Sequence, residues 1–334
     1  MRRQILCILT ALWLFSARAP ADEPVTPSGI ACEPQQCSVL MPAPYIDAPQ
    51  TQDCGYRVGN QWSLDYVAGT LTWSSTEPPR PITVALFDDG LDTDHTDLRN
   101  QLWINTAEAN GKPGVDDDNN GYVDDVHGWD FVDEDPIVAP EGECRERASH
   151  GTFMGSLIAA ERNNGVGIAA AGADGARVMV LRIVGCGRDI KDRADPVRLT
   201  RALNYATQMG AKILSFSAHW HATSPELDAA FAAIADHEDT GRAALIVASV
   251  PNRGAPQPGY PAAYPFRRII RAVPIGDDDR ISPGVSPAPV GLNLGVPSAC
   301  VMGATRAPQG YRIANGSSNS TAILAGLLAG IWAH

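Results

Sequence analysis

Asp88, His150 and Ser318 are residues whose types could together carry acyl transfer. A serine hydroxyl is a weak nucleophile near neutral pH and needs a base within hydrogen-bond reach to take its proton. The base in turn needs an acid that fixes its tautomer and stabilises the imidazolium. Asp88 ends an apolar run and precedes Asp89-Gly90, His150 opens His150-Gly151-Thr152, and Ser318 lies within Asn315-Gly316-Ser317-Ser318-Asn319. Taken singly, an acid before a glycine is more often a turn or cap residue, and a lone histidine or serine is more often structural. A working site needs a fold that joins them, because 62 residues separate positions 88 and 150, and 168 separate 150 and 318.

The elements that could do this are legible along the chain. Ile82 to Phe87, Val178 to Val184, Ile213 to Ser217, Ala244 to Val250 and Ile269 to Ile275 have the length and β-branching of buried parallel strands. Thr152 to Glu161, Pro196 to Met209 and Pro225 to His237 carry helical spacing between them. This alternation predicts an α/β fold, a three-layer α/β/α arrangement with a mainly parallel central sheet. In such sheets function collects at the carboxyl ends of strands, where Asp88 falls. His150 and Ser318 fall at predicted helix starts, whose free N–H groups favour developing negative charge.

The three motifs, in the order Asp, His, Ser, resemble those of the subtilisin-like serine proteases, the subtilases. Val84 to Asp92 with His95, Asp97 and Leu98 is similar to that family's aspartate motif, His150-Gly151-Thr152 to its histidine motif, and Gly316-Ser317-Ser318 to its serine motif. The family's oxyanion asparagine maps to Asn252, and Asn60 to Leu64 is similar to its lead-in to the first core strand. The resemblance runs from about Gln61 to the end. It implies a serine endopeptidase acting on polypeptides through an acyl-enzyme, with Asp88, His150, Ser318 and Asn252 as catalytic residues and no cofactor for the chemistry.

Departures from the family pattern bear on the substrate cleft. Where the family has Ser-Leu-Gly-Gly, this chain has Ser217-Ala218-His219-Trp220, so the substrate-binding set expected is Ser217, Ala218, His219 and Val250, with His219 or Trp220 narrowing the pocket. Pro251 stands before Asn252, and Ser317, Asn319 and Ala322 replace the usual Thr, Met and Pro around the nucleophile. A second reading is therefore an idle subtilase scaffold that binds a peptide or partner, and a third is acyl transfer to an amine in place of water.

Between the first two motifs, Asp116-Asp117-Asp118-Asn119-Asn120-Gly121-Tyr122-Val123-Asp124 sets oxygen ligands at alternate positions with glycine sixth. This matches half of a calcium loop, with Asp116, Asp118, Asn120 and Asp124 as ligands; His127 at the twelfth position rules out a complete EF-hand. The plainer alternative is a solvated acidic loop. The net charge of -12 without a basic run excludes nucleic acid as a partner. Residues 1–21 have the charged start, apolar run and small-residue site of a signal peptide, which implies a secreted or periplasmic protein with no membrane span after its removal. Of seven cysteines, that leaves six, an even number suited to disulfides; the family's fold suggests pairing Cys144 with Cys186. Residues 22–56 read as a Cys- and Pro-containing extension, too short for the family's propeptide, which leaves folding to disulfides, a metal or a separate partner. Residues 57–334 form the catalytic domain, and the sixteen residues after Ser318 imply a shortened end.

Overall fold

Strand formation follows the apolar runs. In the computed structural model, β1 (Ile82–Asp88), β2 (Gly128–Asp130), β3 (Ala176–Arg182), β4 (Ile213–Phe216), β5 (Leu245–Ser249), β6 (Ile269–Ile275) and β7 (Leu292–Pro297) form a seven-stranded sheet in the order β2-β3-β1-β4-β5-β6-β7. Every pairing in it is parallel. The residues described are 61–68, 78–141, 150–185, 195–235, 243–251, 259–285, 291–306 and 310–334. The expected signal peptide and extension, Asn252, Cys144 and Cys186 lie outside them.

Helices cover both faces: α1 (Trp62–Ala68), α2 (Thr106–Ala109), α3 (His150–Ala159), α4 (Pro196–Gln208), α5 (Pro225–Ala235) and α6 (Ser317–Ala333). Successive strand residues point to opposite faces, and β1 divides accordingly. Val84 and Leu86 pack with Phe153, Ile158 and Leu324 of α3 and α6, whereas Ala85 and Phe87 pack with Leu199, Leu203 and Phe231 of α4 and α5. A strand buried on both sides has no polar face, which is why these segments read as unbroken apolar runs. Each large side chain so buried contributes roughly 1.5–3 kcal/mol. Helix α4 starts where Asp195 accepts hydrogen bonds from Val197 and Arg198, with Pro196 in its first turn. An antiparallel hairpin, β8 (Val301–Thr305) with β9 (Gly310–Ala314), leads into α6.

One buried residue breaks the apolar pattern. Arg271, in the middle of β6, is 1% exposed. Its guanidinium donates to the carbonyls of Ala262 at 2.7 Å, Tyr264 at 2.5 Å and Ile269 at 3.2 Å. Burial lowers its pKa, and the three carbonyl dipoles compensate the cation. They also tie the turn at Ala262–Tyr264 to the sheet.

The strand order fixes where a cleft can form. From β1 the chain moves toward one edge to build β2 and β3, then returns to place β4 on the other side of β1. Helices change face at this reversal, and in such folds the place beyond the carboxyl ends of the strands on either side, here β1 and β4, is where a ligand crevice forms. Among the described residues, no helix is long and apolar enough to cross a membrane.

Candidate active site

Asp88 is the last residue of β1 and is 4% exposed. It shares the face of Val84 and Leu86, the face covered by α3 and α6. Opposite it, α3 begins at His150, and Nδ1 of His150 lies 2.8 Å and 2.9 Å from the two Asp88 carboxylate oxygens. A carboxylate only accepts, so Nδ1 carries the proton and Nε2 is not engaged by Asp88. The adjacent Asp88 charge pushes the His150 pKa up to about 9, against the opposing effect of burial.

The neighbouring Asp89 meets the same helix by another route. One of its oxygens accepts the Gly151 N–H at 2.7 Å and the other the His150 N–H at 3.3 Å, while its own N–H donates to Asp88 at 2.8 Å. Burial, followed by the Asp88 charge, pushes Asp89 up to about 7. So close an approach of strand end and helix requires glycine at 151, since a Cβ there would lie 2.0 Å from the Gly90 carbonyl oxygen. Gly90 itself has φ of 98°, a conformation that favours glycine.

Ser318 is the second residue of α6. Its hydroxyl donates to the Ser217 carbonyl at 3.0 Å, and the Ser217 hydroxyl donates back to the Ser318 carbonyl at 3.2 Å. Phe87 and Phe216 are in register, so Asp88 and Ser217 leave adjacent strands side by side, about 4.8 Å apart by sheet geometry. The Asp88–His150 and Ser217–Ser318 contacts thus stand at two neighbouring strand ends. Among the described residues no hydrogen bond joins Ser318 to His150; the hydroxyl rests on Ser217.

The residue after Ser318 fixes the start of α6. Asn319 is 3% exposed and donates through its amide to the carbonyls of Ser298 and Ala314, both at 3.0 Å. Ser320 adds a hydrogen bond to Val296 at 2.9 Å. Asn319, a departure from the family pattern, therefore acts here as a buried tether.

Of the expected pocket residues, Ser217 and Val250 are buried, Ala218 is half-buried and His219 is exposed. The His219 ring lies against Gly259, where a Cβ would sit 3.0 Å from it. Trp220, the other residue expected to narrow the pocket, is turned into the core. It is 8% exposed and packs on Phe216 and Phe231, while its backbone pairs with Tyr260 at 3.1 Å and 2.8 Å. Its large apolar ring gains more from the core than from the cleft.

The acidic loop is organised differently from its sequence spacing. Asp116 accepts backbone N–H groups of Asn120 and Gly121, and Asp124 that of Gly114. Asn120 bridges Asp118 and Asp125 through its amide, at 3.1 Å and 3.0 Å. The oxygens that converge belong to Glu108, Asp118 and Asp125, with ligand atoms within 4.8 Å of one another. Of the three carboxylates among the expected ligands, Asp118 belongs to this cluster, and Asn120, the fourth expected ligand, touches it through its amide. Burial pushes Asp125 up to about 6, against hydrogen bonds from Tyr205, Asn120 and Asn105 that favour its charged form. Glu108 was missed because it lies in α2, outside the loop, and Asp125 because it stands one place beyond the spaced set; burial, which sets both apart, is not visible in a sequence.

Comparison with known proteins gives a consistent picture. The model of the peptidase S8 family, the subtilases, matches residues 80–334. Subtilisin-like protease 1 of Plasmodium vivax is 38% identical over 123 residues, 36% of this chain and 18% of that protein. Thermitase of Thermoactinomyces vulgaris is 25% identical over 181 residues, 54% of this chain and 51% of that one. The chain thus spans from under a fifth to about half of these relatives' lengths. Among solved structures, sphericase superposes with a TM-score of 0.59 at 20% identity over 86% of both chains, a likeness of fold.

Proposed function

Because the chain belongs to the subtilase family of serine proteases, we propose that it is an endopeptidase whose triad is Asp88, His150 and Ser318. The observation that carries this reading is the His150 ring held through Nδ1 by both oxygens of the buried Asp88. That grip sets the tautomer a general base requires and leaves Nε2 free. In the reaction the Ser318 hydroxyl leaves the Ser217 carbonyl and gives its proton to Nε2 as Oγ attacks a peptide carbonyl. His150 then protonates the leaving amine, and water releases the acyl-enzyme. The Ser318 N–H and the Asn252 side chain hold the oxyanion; one such donor is typically worth about 10²–10³ in turnover. Ser217, Ala218, His219 and Val250 line the substrate side, with His219 the residue that restricts it.

The chemistry needs no cofactor. Glu108, Asp118 and Asp125 offer only hard oxygen donors, a set that fits a calcium ion. Such an ion would brace the loop and takes no part in the reaction. The leader at residues 1–21 supports a secreted or periplasmic location, followed by an extension to residue 56 and the catalytic domain from 57 to 334.

The alternative of an idle scaffold draws on one observation, the resting hydrogen bond of Ser318 to Ser217 in place of His150. A fluorophosphonate probe separates the two readings. Wild type should label and Ser318→Ala should not. Folded wild type that stays unlabelled would rule the protease out, and labelling without peptide cleavage would favour the idle scaffold or transfer to an amine.

A further inference from the structure

We infer that Asp89 is a positioning residue for the reaction, clamping the first turn of α3 to the end of β1 so that the His150 ring stays seated on Asp88. The inference rests on reading His150 as the base. Asp88 and Asp89 are consecutive at a strand tip, and they grip one residue from two sides. Asp88 takes the imidazole at 2.8 Å, and Asp89 takes the backbone N–H of the same residue at 3.3 Å and of Gly151 at 2.7 Å.

First-turn N–H groups have no partner inside their own helix. A cap from the preceding residue would fix only the helix end. This one comes from 61 and 62 residues away in sequence, so it fixes the helix relative to the strand that carries Asp88. Two further contacts hold the same junction: Gly151 against the Gly90 carbonyl, and the Asp92 N–H on the Thr152 hydroxyl at 3.0 Å. Position matters because a shift of about 1 Å in a reacting group can cost about a hundredfold in rate.

The clamp is also electrical. The charged groups facing His150 are Asp88 and Asp89, which favour its protonated form, and Arg312 of β9, which opposes it. Those facing Asp89 are Asp88 and His150. Removing the Asp89 charge therefore lowers the pH at which His150 titrates. Protonating Asp89 below about 7 weakens the acceptor that holds Gly151.

The test uses the full chain carrying Asp89→Ala, Asp89→Asn or Asp89→Ser, with kcat and KM measured on a peptide substrate from pH 5.5 to 10. The His150 ring titration is followed by NMR, assigned with His150→Ala. Asp89→Ala should lose about 10–100-fold in kcat with KM within about twofold. Asp89→Asn and Asp89→Ser, which keep one acceptor, should retain more, and in all three the His150 midpoint should move to lower pH. Folded Asp89→Ala with wild-type kcat and an unmoved midpoint would overturn the inference, as would a change in KM alone, which would make Asp89 a substrate contact. If the alanine variant does not fold, the asparagine and serine variants decide by the same two readouts. Wild type that neither turns over nor labels with fluorophosphonate would sink the protease reading and this inference with it, whereas an active wild type with an unchanged Asp89→Ala sinks the inference alone.

Discussion

The protonation of His150 should set the pH profile, and the structure says in which direction. Contact with both Asp88 oxygens holds the imidazolium so well that its pKa is pushed up to about 9 from 6.5. A general base works only when neutral, and at pH 7 about one molecule in a hundred would have it so. Rates should therefore climb about tenfold per pH unit from 7 toward 9 and level off above. Stability should run the other way. A histidine whose folded pKa lies above its unfolded value contributes stability that is fully present below about 6.5 and is lost as the pH rises through about 9. Between these values the protein gains speed as it loses part of its margin. Asp88→Asn removes the leading cause of the shift, so the midpoint should fall toward 6.5 and turnover should drop by about 10⁴, the size seen when the triad acid of another protease is so changed. Initial rates on a fluorogenic peptide from pH 5.5 to 10, with the folded fraction followed by circular dichroism, give both quantities. A wild-type midpoint near 6.5 that Asp88→Asn leaves in place would refute the reasoning.

Other outcomes follow from single contacts. Gly151→Ala puts a methyl group 2.0 Å from the Gly90 carbonyl, so α3 must move off β1. Activity should fall at least tenfold, and a variant with wild-type kcat would show that the junction has slack. Arg271→Met strands the carbonyls of Ala262, Tyr264 and Ile269 and should cost about 3 kcal/mol, or roughly 6–12 °C in Tm; an unchanged melting curve would mean that relief of the buried charge cancels the loss. Excess chelator should lower Tm if Glu108, Asp118 and Asp125 hold calcium. If neither chelator nor Asp118→Ala shifts the melt, the metal claim falls.

The strands of the central sheet were legible wherever both faces are buried. Ile269 to Ile275 was read with the bounds it has as β6, and β1, β3, β4 and β5 differ by one or two residues at their ends. The strands missed are those without that signature: β2 has three residues, β7 alternates half-exposed and exposed positions before Val296, and β8 and β9 carry glycines in a hairpin. Helix α4 was legible from its helical spacing, and the Asp195 cap with Pro196 in the first turn accounts for where it starts. Among the candidate site residues, Asp88, His150 and Ser318 were picked out by their motifs and chain order, because motifs are local. Asp89 was passed over because its partners are the backbone N–H groups of His150 and Gly151, which leave no side-chain signature in a sequence. Arg271 did leave a trace, a lone charge inside an otherwise apolar strand, which obliges the fold to supply acceptors. The fate of Trp220 left none, since a tryptophan beside a cleft can turn inward or outward and only tertiary packing decides.

Helix α6 ties two properties that many enzymes keep apart. It is buried for most of its length, packs against α3 and lies across the sheet from β1 to β7. The candidate nucleophile is its second residue. Enzymes that carry a reactive group on a surface loop can soften the site while the core stays intact. Here the aim of Ser318 is a property of the interior, so no separate, looser melting of the site should precede unfolding. A cavity opened deep in α6, at Leu324 for instance, should be felt as misalignment at its tip, and changes selected for heat resistance there will also retune the reaction.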